Sequence, residues 1–183
     1  MQPNDVVIDA GASIGMFTAK ASIQAGDSGV VYAFEPCPEN FSWLKRNTEK
    51  LKNVKLFQKA LWSSSGVKTL YINNGNFGGN SLYPLPPEQL LQSIDVETTT
   101  IDETVQGKVD FLKIDVEASE AELLMGAKET LRKYNPFIAI EIHSIPHYHM
   151  VNEYLKGFGY EPLQKTPSYG TMCWIPMPTS LKA

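Results

Sequence analysis

A carboxylate followed by a loop of small residues stands near the start of the chain, where an apolar run ends at Asp9 and the segment GASIG follows at 11–15. Glycines at both ends of the segment permit a sharp turn and let a ligand approach the backbone, and the residues between them add little bulk. A carboxylate at this place attracts an ammonium group. The pattern therefore predicts a binding loop whose contact residues are Gly11, Ala12, Ser13 and Gly15.

A second acid, Glu35, lies in the segment AFEP at the end of the next apolar run. An acid about 20 residues beyond such a loop accepts hydrogen bonds from both hydroxyls of a ribose. A dinucleotide-binding loop would show GxGxxG, which this chain lacks, and Asp9 would repel a pyrophosphate. Asp9 and Glu35 together predict S-adenosylmethionine as the ligand, with Glu35 and the adjoining Pro36 at its ribose.

Four more side chains that can move protons follow two later apolar runs, namely Asp115, Glu117, Glu141 and His143. Residues two apart on a strand share a face, so Asp115 pairs with Glu117 and Glu141 with His143. If the runs are neighbouring strands, the four groups meet over a transferable methyl group. His143 is then the candidate base, because imidazole titrates near neutral pH. Asp115 is a candidate to orient the acceptor or to contact the methionine amine. A divalent cation on Asp115, Glu141 and His143 stays open as an alternative, but no metal is predicted.

The elements that must position these residues alternate between short apolar runs and helical patterns, which is typical of a parallel sheet with helices on both faces. Predicted strands are residues 6–8, 30–34, 54–58, 109–114, 137–142, 159–163 and 171–176. Predicted helices are 15–25, 38–51, 151–158 and one that begins at Ser119 with a buried stripe of Ala121, Leu124, Met125 and Leu131. Ser119 and Glu122 match a capping box at its start.

Between the third and fourth of these strands the alternation breaks. Residues around 64–66 predict a hairpin-like pair of strands that ends at 70–72, and 96–101 look extended. The segment 73–87 is rich in Asn, Gly and Pro, which predicts an irregular loop. Its Phe77 and Tyr83 are candidates for a flexible wall beside the acceptor.

With these residues in hand, the chain resembles the FkbM-type methyltransferases of the class I superfamily. The matching segments are VIDAGASIGMFT at 7–18, FEP at 34–36, VDFLKIDVEASEAELLMGA at 109–127 and IAIEIH at 138–143. Ala118 replaces the usual Gly of the third segment, and Ser13 stands where many relatives carry Asn. Relatives also carry a further segment before the first motif, so the chain is expected to be one methyltransferase domain over 1–183 without that extension.

The resemblance implies a Rossmann-like α/β/α sandwich whose seven strands run in the order 3-2-1-4-5-7-6, with the last strand antiparallel. It implies an S-adenosylmethionine-dependent enzyme that methylates oxygen on a small molecule or a sugar-like acceptor and releases S-adenosylhomocysteine. On matching positions, Asp9, Gly11 and Gly15 line the methionine end, Glu35 holds the ribose, and Ala60 and Leu61 approach the adenine.

Composition and charge narrow the expected partners and the expected cellular location. The net charge of −4 over 183 residues argues against a nucleic-acid partner. No apolar run is long enough to span a bilayer and no signal peptide precedes the first motif, so a cytoplasmic protein without a membrane partner is expected. Cys37 and Cys173 are expected to be free thiols. A catalytically impaired cofactor-binding module and an NAD-dependent oxidoreductase are the alternative functions, and a homo-oligomer is left open.

Overall fold

The computed structural model describes residues 1–164 and 170–177. Its centre is a seven-stranded sheet that contains β1 (Val6–Ala10), β2 (Val30–Phe34), β3 (Val54–Phe57), β7 (Phe111–Ile114), β8 (Phe137–Ile142), β9 (Tyr160–Pro162) and β10 (Gly170–Pro176). These strands lie side by side in the order β3-β2-β1-β7-β8-β10-β9. Counted within this sheet alone, the order is 3-2-1-4-5-7-6, as predicted, and β10 runs antiparallel to both of its neighbours.

Helices cover both faces of the sheet, which confirms the predicted three-layer arrangement. They are α1 (Met16–Ala25), α2 (Pro38–Thr48), α3 (Ile101–Thr104), α4 (Glu120–Met125), α5 (Lys128–Tyr134) and α6 (Ile145–Lys156). On one face, Ala21 of α1 packs with Val7 of β1, and Leu44 of α2 packs with Ala33. On the other face, Leu124 and Leu155 join a larger cluster beneath α4 and α6. The central strands read as continuous apolar runs because both of their faces are buried.

The predicted hairpin around residues 64–66 is wrong in its pairing. β4 (Ala60–Leu61) and β5 (Gly66–Asn73) do not pair with each other, because β6 (Leu90–Thr99) lies between them. β4 runs parallel to β6 and β5 runs antiparallel to it, which forms a second sheet of three strands. The segment 73–87 is irregular, as predicted. Its exceptions are one bridge between Tyr71 and Ser81 and the start of a short 3-10 helix at Pro87–Gln89.

The helix predicted from Ser119 is divided into α4 and α5, so its predicted stripe does not continue. Met125 is 44% exposed, whereas Leu124 and Leu131 are buried. The division is explained by Asp102, whose carboxylate accepts the backbone N–H groups of Glu129 and Thr130 and thereby starts a new helix.

The last helix begins earlier than predicted. Ser144 accepts the backbone N–H of His147 at 3.2 Å and so caps α6 at its first turn. α6 therefore begins six residues before the start at 151 that the apolar pattern suggested, which is about 1.7 turns, and His147 and His149 lie near its start. Among the helices of the described ranges, none is both long and apolar enough to cross a bilayer.

Candidate active site

The first loop packs tightly against two neighbouring elements, and its glycines make that contact possible. Gly11 has φ +73°, and a Cβ on it would lie 1.7 Å from the carbonyl oxygen of Asp115. Gly15 has φ +91°, and a Cβ there would lie 2.8 Å from a methyl carbon of Leu44. Both glycines are thus needed for the packing of the loop on β7 and α2 as well as for its turn.

Asp9, which the sequence predicts to contact the ligand's amine, is not among the residues that line the pocket at this edge of the sheet. β1 continues through Ala10, and Asp9 stands in register with Lys113 of β7, so the two side chains are neighbours on one face. Asp9 is fully buried, Thr18 donates a hydrogen bond to it at 2.5 Å, and Lys113 Nζ lies 3.2 Å from its Oδ1. Asp9 therefore stabilises the loop from inside the protein, through its contacts with Thr18 and Lys113.

Sequence reasoning did not select Lys113. A lysine within an apolar central strand is unusual, and this feature could have indicated a role for it. Its Nζ donates to the carbonyl of Gly11 at 2.7 Å and lies 3.3 Å from Asp115. Burial opposes the charged form, but the carboxylates of Asp9 and Asp115 outweigh it and raise the pKa of Lys113. This lysine therefore connects Asp9 of β1, Asp115 after β7 and the carbonyl of Gly11 in the loop.

Glu35 takes the predicted place directly after β2 and beside the loop. It is 5% exposed, and its two oxygens accept the backbone N–H groups of Ser13 at 2.8 Å and Cys37 at 2.9 Å. Burial raises the pKa of Glu35 to about 7, although these two hydrogen bonds act in the opposite direction. Each oxygen keeps a lone pair for a hydroxyl donor.

A pocket of about 600 Å³, counting its open mouth, lies at this edge of the sheet. Of the residues predicted for cofactor binding or catalysis, the structure brings eight together in the lining of this pocket: Gly11, Ser13, Glu35, Pro36, Ala60, Leu61, Asp115 and Glu117. The other residues predicted for these two roles lie outside the lining, namely Asp9, Ala12, Gly15, Glu141 and His143. The lining residues that sequence reasoning missed include Asn40, Lys59, Leu70, Asn80 and Leu82.

The irregular loop at 73–87 forms one wall of this pocket, as proposed for Phe77. Asn40 of α2 donates to the carbonyl of Phe77 at 2.8 Å, and Ser81 donates to the carbonyl of Glu117 at 2.7 Å. The loop is therefore attached at two points, once to α2 and once to the segment after β7.

Tyr83 lies outside the lining and explains why the predicted capping box is wrong. Its hydroxyl donates to Glu122 at 2.5 Å, and this bond to the carboxylate raises the pKa of Tyr83 to about 12. Ser119 makes no capping bond to the helix and instead donates to the carbonyl of Val116 at 2.9 Å. The motif spacing was present, but both side chains have other partners.

The predicted acids and histidine meet at the ends of β7 and β8. His143 Nε2 lies 3.7 Å from Glu117 Oε2, and ligand atoms of Asp115, Glu117 and His143 all lie within 4.8 Å of one another. Burial raises the pKa of Glu117, His143 opposes the rise, and the charges of Asp115 and Glu141 add to it. Glu141 likewise has a raised pKa, from burial and from the adjacent Asp115.

This convergence gives His143 a carboxylate partner that would stabilise an imidazolium. The partner is Glu117, while Glu141 lies beside Asp115. The set with spacing suited to a metal ion accordingly contains Glu117 in place of the Glu141 considered from the sequence.

The family model described as "Methyltransferase FkbM domain" matches residues 9–162. The chain is 30% identical to the hexuronic acid methyltransferase AglP of Haloferax volcanii, with 78% of this chain and 58% of that protein covered. It is 26% identical to the 2-O-methyltransferase NoeI of Sinorhizobium fredii, with 72% of this chain and 61% of that protein covered. The chain thus spans less than two thirds of the length of these relatives.

Solved structures agree on the fold. The methyltransferase FkbM from Methylobacillus flagellatus has a TM-score of 0.69 at 17% identity, and the match covers 96% of this chain and 44% of that one. The fibrillarin of Aeropyrum pernix, solved with S-adenosyl-L-methionine, has a TM-score of 0.62 at 16% identity over 95% of this chain and 67% of that one. The predicted Rossmann-like class I methyltransferase fold is confirmed, and the chain belongs to the FkbM methyltransferase family.

Proposed function

We propose that this protein binds S-adenosylmethionine in the described pocket and transfers its methyl group to a hydroxyl oxygen of a small-molecule or sugar acceptor. The observation that carries the proposal is the placement of Glu35, the first loop and the Asp115, Glu117 and His143 cluster along one edge of the sheet. Ligands of open α/β sheets bind at the carboxyl ends of the strands, where these groups lie.

Each end of the cofactor has a suitable partner. Glu35 would accept the ribose hydroxyls, while the apolar side chains of Ala60 and Leu61 would flank the adenine. Asp115 is 31% exposed at its side chain and lines the pocket, so it would attract the methionine amine, a contact for which the sequence offered both Asp9 and Asp115. Lys113, held between the two carboxylates, keeps Asp115 in place.

The His143 and Glu117 pair supplies the proton chemistry. His143 would take the proton of the acceptor hydroxyl as its oxygen attacks the methyl carbon in line with the breaking bond to sulfur. The sulfur keeps that electron pair and leaves as the neutral thioether. Glu117 would stabilise the imidazolium, and positioning of the two reactants would provide much of the remaining acceleration.

Relatives support an oxygen acceptor. Their names describe a hexuronic acid methyltransferase, a 2-O-methyltransferase and a 31-O-demethyl-FK506 methyltransferase. One of these names describes a sugar acid, so sugars with and without a carboxylate, together with neutral polyols, are the first acceptors to test.

The test measures transfer of a labelled methyl group from S-adenosylmethionine to such a panel, together with calorimetric titration of S-adenosylhomocysteine and NAD. We expect His143→Gln to lower kcat by about 10² to 10⁴-fold while S-adenosylhomocysteine affinity stays unchanged. His149→Gln, at an exposed position of α6, is the matched control. Tighter binding of NAD would favour an oxidoreductase, and binding of S-adenosylhomocysteine without transfer to any acceptor would favour a binding module.

A further inference from the structure

The turn between β7 and α4 holds Glu117 in an unusual backbone conformation. Glu117 has φ +49° and Ala118 has φ +78°, so two consecutive residues with side chains are left-handed. This conformation is costly for residues other than glycine, because the Cβ crowds the carbonyl oxygen. The turn therefore needs an outside contact to hold it.

Glu120 provides such a contact from a buried position, in addition to the hydrogen bond that Ser81 donates to the carbonyl of Glu117. It is 2% exposed, and its Oε1 accepts the backbone N–H of Ala118 at 3.2 Å. Burial raises the pKa of Glu120, while hydrogen bonds from its own N–H and that of Ala118 act in the opposite direction. Burial of a carboxylate costs free energy, so the hydrogen bond of this carboxylate to the turn indicates a specific role for Glu120.

The other side of the Glu120 carboxylate faces α6. Its Oε2 lies 4.0 Å from Nδ1 of His147, a buried ring nitrogen for which the described part of the chain offers no hydrogen-bond partner. Glu120 thus links the turn that carries Glu117 to the helix that follows His143 along the chain. Glu120 is therefore close to both segments that carry the candidate catalytic pair, the turn with Glu117 and the helix that follows His143.

We propose that Glu120 is a positioning residue that holds Glu117 within reach of His143. Glu120 is absent from the pocket lining, so it acts through the turn and does not contact the substrate. The proposal deepens the function proposed above and rests on it for the effect on catalysis.

Three variants test this role by kinetics. Glu120→Gln keeps an oxygen that can accept the Ala118 N–H, so kcat is expected to stay within about threefold of the original value. Glu120→Ala removes the acceptor, and kcat is expected to fall about 10 to 100-fold while the affinity for S-adenosylhomocysteine changes by less than about twofold. Glu122→Gln, two residues further on, is the matched control and should leave the kcat unchanged.

A second change separates positioning from a general loss of folding. Adding Ala118→Gly to Glu120→Ala lets the turn adopt positive φ without the clash, and it should recover several-fold of the lost kcat. A loss in Glu120→Gln as large as in Glu120→Ala, or no recovery in the double variant, would overturn the proposal. Equal kcat in Glu120→Ala and the original protein would overturn it as well.

A spectroscopic readout does not depend on turnover. In ¹H–¹⁵N spectra of the imidazole rings, Glu120→Ala should shift the His143 signals in the direction that Glu117→Gln shifts them, and Glu122→Gln should not. If the rings respond in this way but no acceptor is methylated, the proposed function fails and the positioning role stands. Unchanged His143 signals in Glu120→Ala would refute the positioning role even in an active enzyme.

Discussion

Replacement of Glu35 by Gln should change how the stability of the protein depends on pH. The carboxyl pKa rises from 4.5 to about 7 in the folded protein, chiefly through burial. The folded state therefore holds the proton more tightly than the unfolded chain. Glu35 contributes stability that is fully present below about pH 4.5 and is lost as the pH rises through about 7.

The size of this effect follows from the pKa values. At about 1.4 kcal/mol for each tenfold change in proton affinity, a rise from 4.5 to about 7 corresponds to about 3 kcal/mol. Between about pH 4 and pH 8, the free energy of unfolding of the original protein should fall by about 3 kcal/mol relative to that of Glu35→Gln. Gln cannot ionise, so the free energy of unfolding of the variant is shifted by a constant amount and has no pH dependence from position 35.

Urea unfolding across this pH range, followed by the fluorescence of the fully buried Trp174, measures the difference. Glu49→Gln, at an exposed position after α2, controls for the loss of one negative charge. Stability curves that run parallel for the original protein and Glu35→Gln would refute the assignment of a buried, proton-holding carboxyl.

Ligand affinity should show the opposite trend, because ribose hydroxyls donate to the ionised form of Glu35. The affinity for S-adenosylhomocysteine is expected to rise by up to tenfold per pH unit until about pH 7 and then to level off. An affinity that does not vary over this range would show that the ribose does not bind to Glu35.

Three further changes test how the site is built. Ala118→Gly should raise the free energy of unfolding by about 1 kcal/mol, because glycine accepts the positive φ of this turn; a higher urea midpoint with an unchanged slope would be the sign, and a lower midpoint would contradict it. Gly11→Ala places a Cβ against the Asp115 carbonyl and should cost at least about 3 kcal/mol by thermal unfolding, so near-normal stability would disprove the close contact. Asp102→Ala removes the acceptor for two N–H groups at the start of α5 and should cost about 2 kcal/mol, whereas an unchanged midpoint would mean that α5 needs no cap.

Local pattern was enough to predict the main sheet. Its central strands are buried on both faces and therefore appear as unbroken apolar runs, and 137–142 was predicted with the bounds that β8 has. The acid after β2 and the small-residue loop after β1 were placed together correctly, because carboxyl ends of adjacent parallel strands meet at one edge. The family resemblance rested on these same segments.

Pairings between distant segments were not predictable in this way. β4 has two residues, too few for any periodicity, and its partner β6 follows almost 30 residues later. The division of α4 from α5 depends on Asp102, which lies far earlier in the chain. Ser119 and Glu122 had the spacing of a capping box but found partners elsewhere.

The sequence by itself determined which residue types stand at the ends of the strands, since spacing along one strand sets the face on which a side chain lies. Only the tertiary structure decided their partners: Lys113 reaches Asp9 across the sheet, Glu117 in place of Glu141 faces His143, and Glu120 is buried behind the turn. The physical reason is that register between strands and burial by neighbouring helices set the distance and the desolvation of each charge, and both arise from contacts between residues far apart in the chain.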